Sequence, residues 1–561
     1  MNLQIRKIVC VLLSLILIAG ASYFSLYATA EIDEVTFAVA TDIHIVTGKD
    51  ELSVEHPESE LYFQASGSGN IYDQALEITK SFLNDAADKN ASFVLIPGDM
   101  TRNGYREEHE AIARVFDEFE EKTGIQVYVT PGNHDYYHTT PDEFKNYYKN
   151  AGFDNAVETD SKTASYTADV GGKYRLICVD SNKPGDDGDG IDSRLISWIE
   201  AQAAKAKEDG KEPVVMMHHS LLEHLYMGKL LMKDFVIRNS GKMAEKFCSL
   251  GIQYVFTGHE HGNDISKYVG KNGNVVYDIL TTALSSYPIE YRMVTFSSNG
   301  VKITMNSIDE CNMDALIGGY NDNQLKLLES DYNAFAYGLF RYSIEKKILK
   351  YVSPAFIKRK LKLDDSSPLT TSIDILFGTI NEALTMPLYS ENSEMSIESL
   401  ALSKNVTLPK SEYKSLCDLI TAMVAVHYYG NENMSSSEST ESEILIKGLN
   451  TALEYLLTKC GNEGLNTLIG VISFSTRIDT DRLSPWFTAV KSGKEDSYKT
   501  AKAVLNPILD NFTHDFEPGD RDITLPAFGE KATTERPIVA FFKKLMNFFK
   551  YIFNIVIARF R

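Results

Sequence analysis

Apolar residues in the first half of the chain form short runs that alternate with stretches of helical spacing. Six of these runs, four to seven residues long, are rich in β-branched and aromatic residues, which predicts buried strands. They are Thr36–Thr41, Phe93–Pro97, Val127–Pro131, Tyr174–Asp180, Val214–His218 and Tyr254–Thr257. The helical stretches between them are Ile71–Lys89, Tyr105–Thr123, Ser193–Glu208 and Lys229–Leu250. Strands that alternate with helices indicate an α/β layered domain, which we place at residues 31–310.

After Ser307 the pattern changes to long segments with helical spacing and few obvious strands. The clearest of these segments are Gln324–Leu349, Ser372–Thr385, Lys414–His427 and Glu443–Lys459. We therefore expect a mainly helical accessory domain at residues 311–536, interrupted by a Ser- and Glu-rich loop at 431–443. The pattern leaves open whether this domain only packs beside the first one or forms a wall or lid of its site.

The first 30 residues have the pattern of an export signal. Arg6 and Lys7 precede an uncharged stretch, Ile8–Ala30, which ends in the small-x-small sequence Ala28-Thr29-Ala30. This pattern favours a cleaved signal peptide, although about 20 apolar residues also suffice for a retained N-terminal anchor. In both cases we expect an exported protein, either secreted or held at the extracytoplasmic face of the membrane.

Residues 537–561 predict a separate, basic amphipathic helix. Lys543, Lys550 and Arg561 share one helical face with Asn547 and Asn554, and phenylalanine and aliphatic residues cover the rest. Because such a helix suits the plane of an anionic membrane surface, we expect the protein to be membrane-associated through this segment. The alternative is a helix that docks on its own protein or on a partner subunit.

Composition narrows the functional classes. A chain of 561 residues predicts two or three domains, and 43% apolar with 24% charged residues is typical of a globular protein. The formal net charge of −21 argues against binding of long nucleic acid, which needs a basic surface to displace counterions. The six cysteines match neither a zinc knuckle nor a dense disulfide framework, so no disulfide is predicted.

Five short segments supply seven side chains of the types that bind transition metals. The segments are Asp42-Ile43-His44, Gly98-Asp99, Gly132-Asn133-His134-Asp135, His218 after the run Val214–Met217, and Gly258-His259-Glu260-His261. Each segment alone is weak evidence: the first three are typical of ordinary turns, whereas two histidines two residues apart after a glycine, as in Gly258-His259-Glu260-His261, are a rarer pattern. Together, and mostly at the ends of predicted strands, they indicate a site for two metal ions. Imidazole and carboxylate ligands, with one carboxylate left over to bridge, are what such a site needs.

The order of these segments resembles that of the metallophosphoesterase superfamily, the calcineurin-like phosphoesterases, over roughly residues 35–310. The resemblance implies a layered β-sandwich flanked by helices. It also implies two metal sites that share one carboxylate. The first would consist of Asp42, His44, Asp99 and His261, and the second of Asp99, Asn133, His218 and His259.

The same resemblance implies a mechanism. Two divalent transition-metal ions (manganese, iron, cobalt or zinc) would lie about 3.5–4 Å apart and share a bridging hydroxide that attacks phosphorus. His134 would act as the general acid that protonates the departing oxygen, and Asp135 would orient its ring.

The other histidines of this half carry weaker signals. His218 and His219 are adjacent, so only one is expected to point at the metals if the strand continues through them. The family pattern selects His218 as the ligand. His219 would then either support a ligand or face the substrate, or it would be an ordinary histidine of the core or the surface. His109, His138 and His224 match no position of the family, and we expect them at the surface.

Departures from three subfamilies narrow the function. Serine/threonine phosphatases follow Gly-Asp with Val-Asp-Arg-Gly, where this chain has Met100-Thr101-Arg102-Asn103. Purple acid phosphatases place a metal-binding tyrosine where this chain has Arg102, and exported 5′-nucleotidases carry a mixed α/β second domain. The remaining resemblance is to the bacterial exported phosphodiesterase-like branch, so we expect a phosphodiesterase.

Three alternatives stay open at this point. A phosphomonoesterase or nucleotidase would use the same metal ligands. A nuclease would be confined to short oligonucleotides by the acidic balance of the chain. A non-catalytic envelope scaffold with a vestigial metal domain is disfavoured, because a degenerate site should have lost a ligand and none is lost.

The C-terminal segment generates the first testable prediction. A protein of residues 31–561 should bind anionic liposomes, whereas residues 31–536 should not, because the basic amphipathic helix is then missing. Co-sedimentation with vesicles measures both. Equal binding by the two proteins would rule out the membrane role of the tail.

Overall fold

Two β-sheets packed face to face form the centre of the first half of the protein. The computed structural model describes residues 34–47, 69–184, 186–224, 235–309, 322–364, 367, 369–390, 395–431, 436–476, 483–493, 497–513 and 519–531. The predicted signal or anchor and the basic C-terminal helix both lie outside these residues. Within them, no helix is long and apolar enough to span a bilayer.

The first sheet has six strands in the order β15-β14-β13-β1-β2-β3. Its strands are β1 (Val35–Val39), β2 (Phe93–Ile96), β3 (Gln126–Val129), β13 (Glu290–Ser297), β14 (Gly300–Ser307) and β15 (Ile523–Leu525). Strands β1, β2 and β3 are parallel, and β13, β14 and β15 continue the sheet in antiparallel order. The parallel strands therefore end at one edge, where their loops lie side by side.

The second sheet has seven strands in the order β11-β12-β10-β9-β6-β5-β4. They are β4 (Glu158–Thr159), β5 (Tyr166–Val170), β6 (Tyr174–Val179), β9 (Glu212–Met217), β10 (Tyr254–Thr257), β11 (Asp264–Val269) and β12 (Val275–Leu280). Strands β6, β9, β10 and β12 are parallel. A two-stranded hairpin of β7 (Asn182–Lys183) and β8 (Asp186–Asp189) lies between β6 and β9 in sequence.

Alternation along the strands divides the apolar residues between the space inside the sandwich and the two outer faces. On β1, Phe37 points inward and stacks on Phe93 with ring centroids 4.7 Å apart, while Ala38 points to the outer core. The flanking helices are α1 (Ala75–Asp88), α2 (Arg106–Thr123), α3 (Pro141–Tyr147), α4 (Ser193–Glu208) and α5 (Ser240–Leu250). Helices α1 and α2 cover the first sheet and α4 and α5 cover the second.

The predicted fold class is confirmed, and all six predicted strands are present within three residues of their expected bounds. The apolar pattern does not predict the short strands β4, β7, β8 and β15, nor the longer strands β5 and β11 to β14. These strands carry polar residues in their runs, for example Asp264-Ile265-Ser266-Lys267, so they lack the continuous apolar pattern of a fully buried strand. The helix expected from Lys229 begins at Ser240 in α5, and residues 225–234 lie outside the described residues.

The second half is helical, as expected. Its helices are α6 (Asp322–Ser330), α7 (Tyr332–Tyr351), α8 (Pro354–Lys360), α9 (Leu369–Thr385), α10 (Ile397–Leu402), α11 (Leu416–Tyr429), α12 (Thr440–Thr476), α13 (Ser484–Lys491) and α14 (Ser497–Thr513). The single helix predicted over Gln324–Leu349 is two helices, because the Asp331 side chain caps α7 by accepting a hydrogen bond from Ala334 N. A separate apolar core holds α8 to α14 together.

The two halves are not separate along the chain. Leu525 of β15 pairs with Val301 of β14, and its side chain is 2% exposed in the core of the sandwich. Residues 519–531, which the sequence analysis assigned to the accessory domain, thus complete the first sheet. Residues Tyr332 and Phe335 of α7 also belong to the core beneath α1 and α2. The predicted division at residue 311 therefore does not separate two independent cores.

Candidate metal centre

All seven predicted metal ligands lie on loops at the carboxyl ends of parallel strands from both sheets. Asp42 and His44 follow β1, Asp99 follows β2, Asn133 follows β3, His218 follows β9, and His259 and His261 follow β10. This is the edge at which α/β sheets present ligand-binding loops. The sandwich therefore brings together side chains that are up to 219 positions apart in sequence.

Five of the seven residues have a left-handed backbone. The φ angles are 53° for Asp42, 52° for His44, 52° for Asp99, 75° for His259 and 61° for His261. Non-glycine residues with positive φ are uncommon, and such strain is concentrated at functional sites, where the surrounding structure holds it in place. The surrounding loops therefore stabilise an arrangement that these residues would not adopt alone.

The glycines of the motifs are explained by how closely their backbone approaches the ligands. A Cβ atom at Gly98 would lie 2.5 Å from Nδ1 of His218, and one at Gly132 would lie 2.6 Å from Cγ of Asp99. A Cβ at Gly258 would lie 2.5 Å from Oδ2 of Asp42. Each glycine thus makes room for a ligand that comes from a different loop.

The first group of ligands converges around one carboxylate oxygen. Oδ1 of Asp42 lies 3.2 Å from Nε2 of His261 and 3.7 Å from Nε2 of His44. The two imidazole nitrogens are themselves 3.2 Å apart. The other oxygen of Asp42 accepts hydrogen bonds from Thr41 Oγ1 and His259 N, both at 2.9 Å, which turns Oδ1 toward the histidines.

The second group forms around His218. Its Nδ1 lies 2.9 Å from the carbonyl oxygen of Pro97, so the ring donates there and presents Nε2 to the site. Nε2 lies 3.1 Å from Oδ1 of Asn133 and 3.3 Å from Oδ2 of Asp99. His259 completes this group, with ligand atoms of Asp99, His218 and His259 all within 4.8 Å of one another.

Asp99 joins the two groups. Its Oδ2 lies 3.8 Å from Nε2 of His44 in the first group as well as close to His218 in the second. Its Oδ1 accepts a hydrogen bond of 2.9 Å from the backbone nitrogen of His134. The Asp99 carboxylate thus lies between the two groups.

The protonation states of most of these side chains suit cation binding. Burial lowers the pKa of His44 to about 3, and burial together with His219 and His218 lowers that of His259 well below its usual value. Burial raises the pKa of Asp99, but His218 and His134 outweigh it and hold that pKa well below its usual range. Neutral imidazoles and charged carboxylates are the states in which these groups bind metals.

His218 is the exception among the ligands. Burial lowers its pKa, but the charge and hydrogen bond of Asp99, with Asp42 and the Pro97 carbonyl, raise it to about 9. A proton on His218 therefore neutralises part of the carboxylate charge, and a cation that binds must displace it.

The residues present fit two metal ions. Nε2 of His259 is buried without a hydrogen-bond partner among the described residues, and Oδ1 of Asp42 has no near neighbours of opposite charge apart from the imidazoles of His44 and His261. A buried carboxylate faced only by imidazoles is costly unless a cation compensates it. The mixed nitrogen and oxygen ligands match the preferences of manganese, iron, cobalt and zinc.

His134 lies beside His44 and Asp99 and is partly exposed. Its ring centroid is 4.8 Å from that of His44 and 4.7 Å from that of Tyr137, whose side chain is 40% exposed. Its Nδ1 lies 2.6 Å from the carbonyl oxygen of Arg102, so the ring donates there. Nε2 then remains available to a substrate.

Asp135 does not have the orienting role that we expected. Its oxygens accept hydrogen bonds from Thr101 N at 2.9 Å, Thr101 Oγ1 at 2.8 Å and Gly132 N at 2.8 Å, whereas the His134 ring is oriented by the Arg102 carbonyl. Burial and the Asp99 charge raise the pKa of Asp135 to about 7, although the hydrogen bonds from Gly132 and Thr101 lower it. Asp135 therefore joins the loops after β2 and β3, a role that depends on backbone contacts invisible in sequence.

His219 and His138 have distinct surroundings. His219 is fully buried behind the second group, with its ring centroid 4.6 Å from that of His259 and its Nδ1 2.9 Å from Ser181 Oγ. It thus supports a ligand rather than facing the surface. His138 is exposed, as expected, and stacks on Tyr105.

The expectation that His109 and His224 lie at the surface is wrong. His109 is fully buried, with Nδ1 2.9 Å from the Tyr148 hydroxyl and Nε2 3.1 Å from the carbonyl oxygen of Asp135. His224 is 1% exposed, with one ring nitrogen on Asp264 and the other 3.0 Å from Asp278. Their polar partners come from distant segments, so the local sequence gave no signal for burial.

Comparison with known proteins agrees with this geometry. The family model described as calcineurin-like phosphoesterase matches residues 35–263, which include all seven predicted ligands and His134. A comparison with curated proteins gives no match.

The chain also shows low similarity to several solved structures. A dimetal phosphatase from Danio rerio is 10% identical, with a TM-score of 0.36 over 49% of this chain and 96% of that one. A purple acid phosphatase from yellow lupin (Lupinus luteus) seeds is 12% identical, with a TM-score of 0.33 over 49% of this chain and 51% of that one. The NAD nucleotidase of Haemophilus influenzae is 15% identical, with a TM-score of 0.29 over 66% and 68%.

The close approach of Gly132 to Asp99 predicts that a substitution at this glycine disrupts the metal centre although every ligand is still present. Gly132→Ala should weaken manganese binding by about 10- to 100-fold, because the added Cβ displaces the Asp99 carboxylate. Isothermal titration of metal-free protein measures the affinity. Gly241→Ala is the matched control, since a Cβ there meets nothing within 4 Å and α5 tolerates alanine. Unchanged affinity in Gly132→Ala would contradict the assigned position of Asp99.

Proposed function

We propose that the protein is a binuclear metallophosphodiesterase, a phosphoric ester hydrolase whose residues 35–263 match the calcineurin-like phosphoesterase model. The observation that carries the proposal is the convergence of all seven ligands, with Asp99 shared between two groups. A vestigial domain in a scaffold protein would not need to keep five ligands in a left-handed backbone conformation.

Each ligand group would hold one divalent ion. Asp42, His44 and His261 would bind the first and Asn133, His218 and His259 the second, with Asp99 between them. Bound ions would supply a water of lowered pKa as nucleophile and would offset charge on the phosphoryl oxygens. The protein itself would hold the ligands in fixed positions, through the Pro97 carbonyl behind His218 and through His259 N on Asp42.

The leaving group would depart on the side of His134. The Arg102 carbonyl accepts from Nδ1 of His134, so a proton on Nε2 points away from that carbonyl and toward substrate. A histidine so placed protonates the departing oxygen as general acid. The exposed ring of Tyr137, beside His134, would contact the organic part of the leaving group.

Diesters are favoured over monoesters because the monoesterase signatures are missing. The guanidinium of Arg102 stands where purple acid phosphatases carry a metal-binding tyrosine, and it packs over the Tyr72 ring at 4.3 Å. The described part of the second half consists of helices and the short strand β15, unlike the mixed α/β domain of exported nucleotidases. A phosphomonoesterase or nucleotidase is the alternative.

We further propose that the protein acts outside the cytoplasm on a phosphoester of the cell envelope. This proposal is supported only by the sequence of the two ends, an export signal at residues 1–30 and a basic amphipathic segment at residues 537–561.

Two model substrates test the reaction and the bond preference together. The protein reconstituted with manganese should hydrolyse bis-p-nitrophenyl phosphate faster than p-nitrophenyl phosphate. Asp99→Ala should abolish both activities, since it removes the shared ligand of the two groups. Faster turnover of the monoester would favour the phosphomonoesterase alternative. Absence of bound metal and of both activities in the wild-type protein would favour the scaffold.

The role of His134 predicts a dependence on the leaving group. His134→Ala should lower kcat about 10²- to 10⁴-fold for diesters with basic leaving groups, but much less for those that leave without a proton. A series of aryl methyl phosphates with phenols of graded acidity measures this as a steeper dependence of log kcat on phenol pKa. His138→Ala, at an exposed histidine four positions away, is the control and should leave the slope unchanged. An unchanged slope in His134→Ala would rule out its role as the acid.

A further inference from the structure

The end of helix α11 lies against the loop that carries His261. The backbone nitrogen of Asn263, two residues after His261, donates a hydrogen bond of 3.1 Å to the carbonyl oxygen of Tyr428. Gly430 ends the helix with φ 80°, and a Cβ there would lie 2.8 Å from the Asn263 carbonyl oxygen. The contact is therefore between backbones and leaves no space for a side chain at Gly430.

Asn263 transmits this contact to the metal loop. Its side chain is fully buried; Oδ1 accepts from Thr282 N at 3.1 Å, and Nδ2 donates to Oε2 of Glu290 at 3.1 Å. Thr282 Oγ1 in turn donates to the carbonyl oxygen of His261 at 2.7 Å. The backbone position of His261 is thus fixed by residues that Asn263 holds together.

The other end of this network is an ion pair that spans both halves of the chain. Arg521, in the segment that returns from the helical half, donates to both oxygens of Glu290 at 2.8 Å. The same guanidinium donates to the carbonyl oxygen of Tyr429 at 2.6 Å and lies 3.7 Å from the centre of the Tyr429 ring. The Glu290 side chain is only 3% exposed, so its charge depends on Arg521 for compensation.

We propose that Asn263, Glu290, Tyr428, Tyr429 and Arg521 form a clamp through which the helical half positions His261 for the first metal ion. The proposal rests on the metal centre of the proposed function and adds a role for the accessory region, as a positioning partner of that centre. The residues of the clamp are positioning residues, because they act on His261 through Thr282 and the backbone of the loop.

Loss of the clamp should weaken binding of the first ion selectively, because the side chain of His261 is less enclosed by the first half of the chain than those of Asp42 and His218. Its side chain is 26% exposed, whereas those of Asp42 and His218 are fully buried. His218 is fixed through Pro97 and Asp42 through Thr41, which all belong to the catalytic half. Among the described ligand loops, only that of His261 makes a backbone hydrogen bond to the helical half, from Asn263 N to the carbonyl oxygen of Tyr428.

Manganese titration of the full-length, metal-free protein tests the clamp without measuring activity. Wild-type protein should bind two ions. Arg521→Met should keep one ion at wild-type affinity and bind the other about 10- to 100-fold more weakly, with loss of the exchange-coupled two-ion signal in electron paramagnetic resonance. Arg521→Lys, which retains the charge but not the two-pronged contact with Glu290, should restore the weak ion in part.

Arg175→Met is the matched control. Arg175 is 2% exposed, against 20% for Arg521, and it likewise pairs with carboxylates, those of Asp169 and Asp209, at the start of β6, at the end of the second sheet opposite the ligand loops. Its replacement should lower the unfolding temperature and leave both ions at wild-type affinity. A purely structural contribution of Arg521 would give the same result as this control.

Two outcomes separate the clamp from the proposed function. Folded Arg521→Met that binds both ions like the wild type would overturn the clamp alone, whereas wild-type protein that binds fewer than two ions would overturn the metal centre itself. If Arg521→Met does not fold, Tyr429→Leu provides the test of the clamp. This variant removes the ring beneath Arg521 but keeps the ion pair that neutralises Glu290. It should weaken the same ion by a smaller factor, and wild-type binding by folded Tyr429→Leu would then overturn the clamp.

Discussion

The carboxylate of Asp99 is the group on which the arrangement of the loops depends. It is 1% exposed, one oxygen is held by the backbone of His134, and the other faces His44 and His218 together. Three loops must therefore be placed relative to the loop after β2. Backbone hydrogen bonds achieve part of this, for example the bond of 3.0 Å from His44 N to the Asp99 carbonyl oxygen. Gly132 provides the space in which the carboxylate lies.

A buried cluster of carboxylates and imidazoles is not a stable arrangement by itself. Burying charge costs free energy unless it is compensated, and left-handed backbone at five ligands adds conformational strain. The surrounding sandwich supplies the compensation, because ring packing such as that of Phe37 on Phe93 and Phe296 joins the strands below the loops. A rigid core under a strained, charged edge is the division of roles expected for a preorganised hydrolytic site.

The parts of the structure that could be predicted from sequence are those encoded locally. Six of the seven parallel strands are continuous apolar runs, and the ligand motifs contain the glycines that the close approach of loops requires, so both can be predicted, whereas β12 carries Asp278 within its run and is missed. The helical spacing continues from α6 into α7, so the pattern predicts one helix there. In the structure the cap at Asp331 outweighs that spacing and begins a second helix. Features that depend on distant segments could not be predicted. The burial of His224 depends on Asp264 and Asp278, and the hydrogen bonds of Asp135 depend on Thr101. Strand β15 pairs with a strand more than 200 residues earlier.

The position of β15 has a consequence for biosynthesis. A chain grows from its N-terminus, so β14 is made long before the segment that pairs with it, and the nine described helices between them must emerge first. During that interval the first sheet has an unpaired edge, the kind of surface on which chains associate with one another. A nascent chain would therefore need to keep this edge protected until residues 523–525 arrive. Because Arg521 lies beside them, the Glu290 contact and the pairing of β15 with β14 form at the same stage, after the intervening helices have been synthesised.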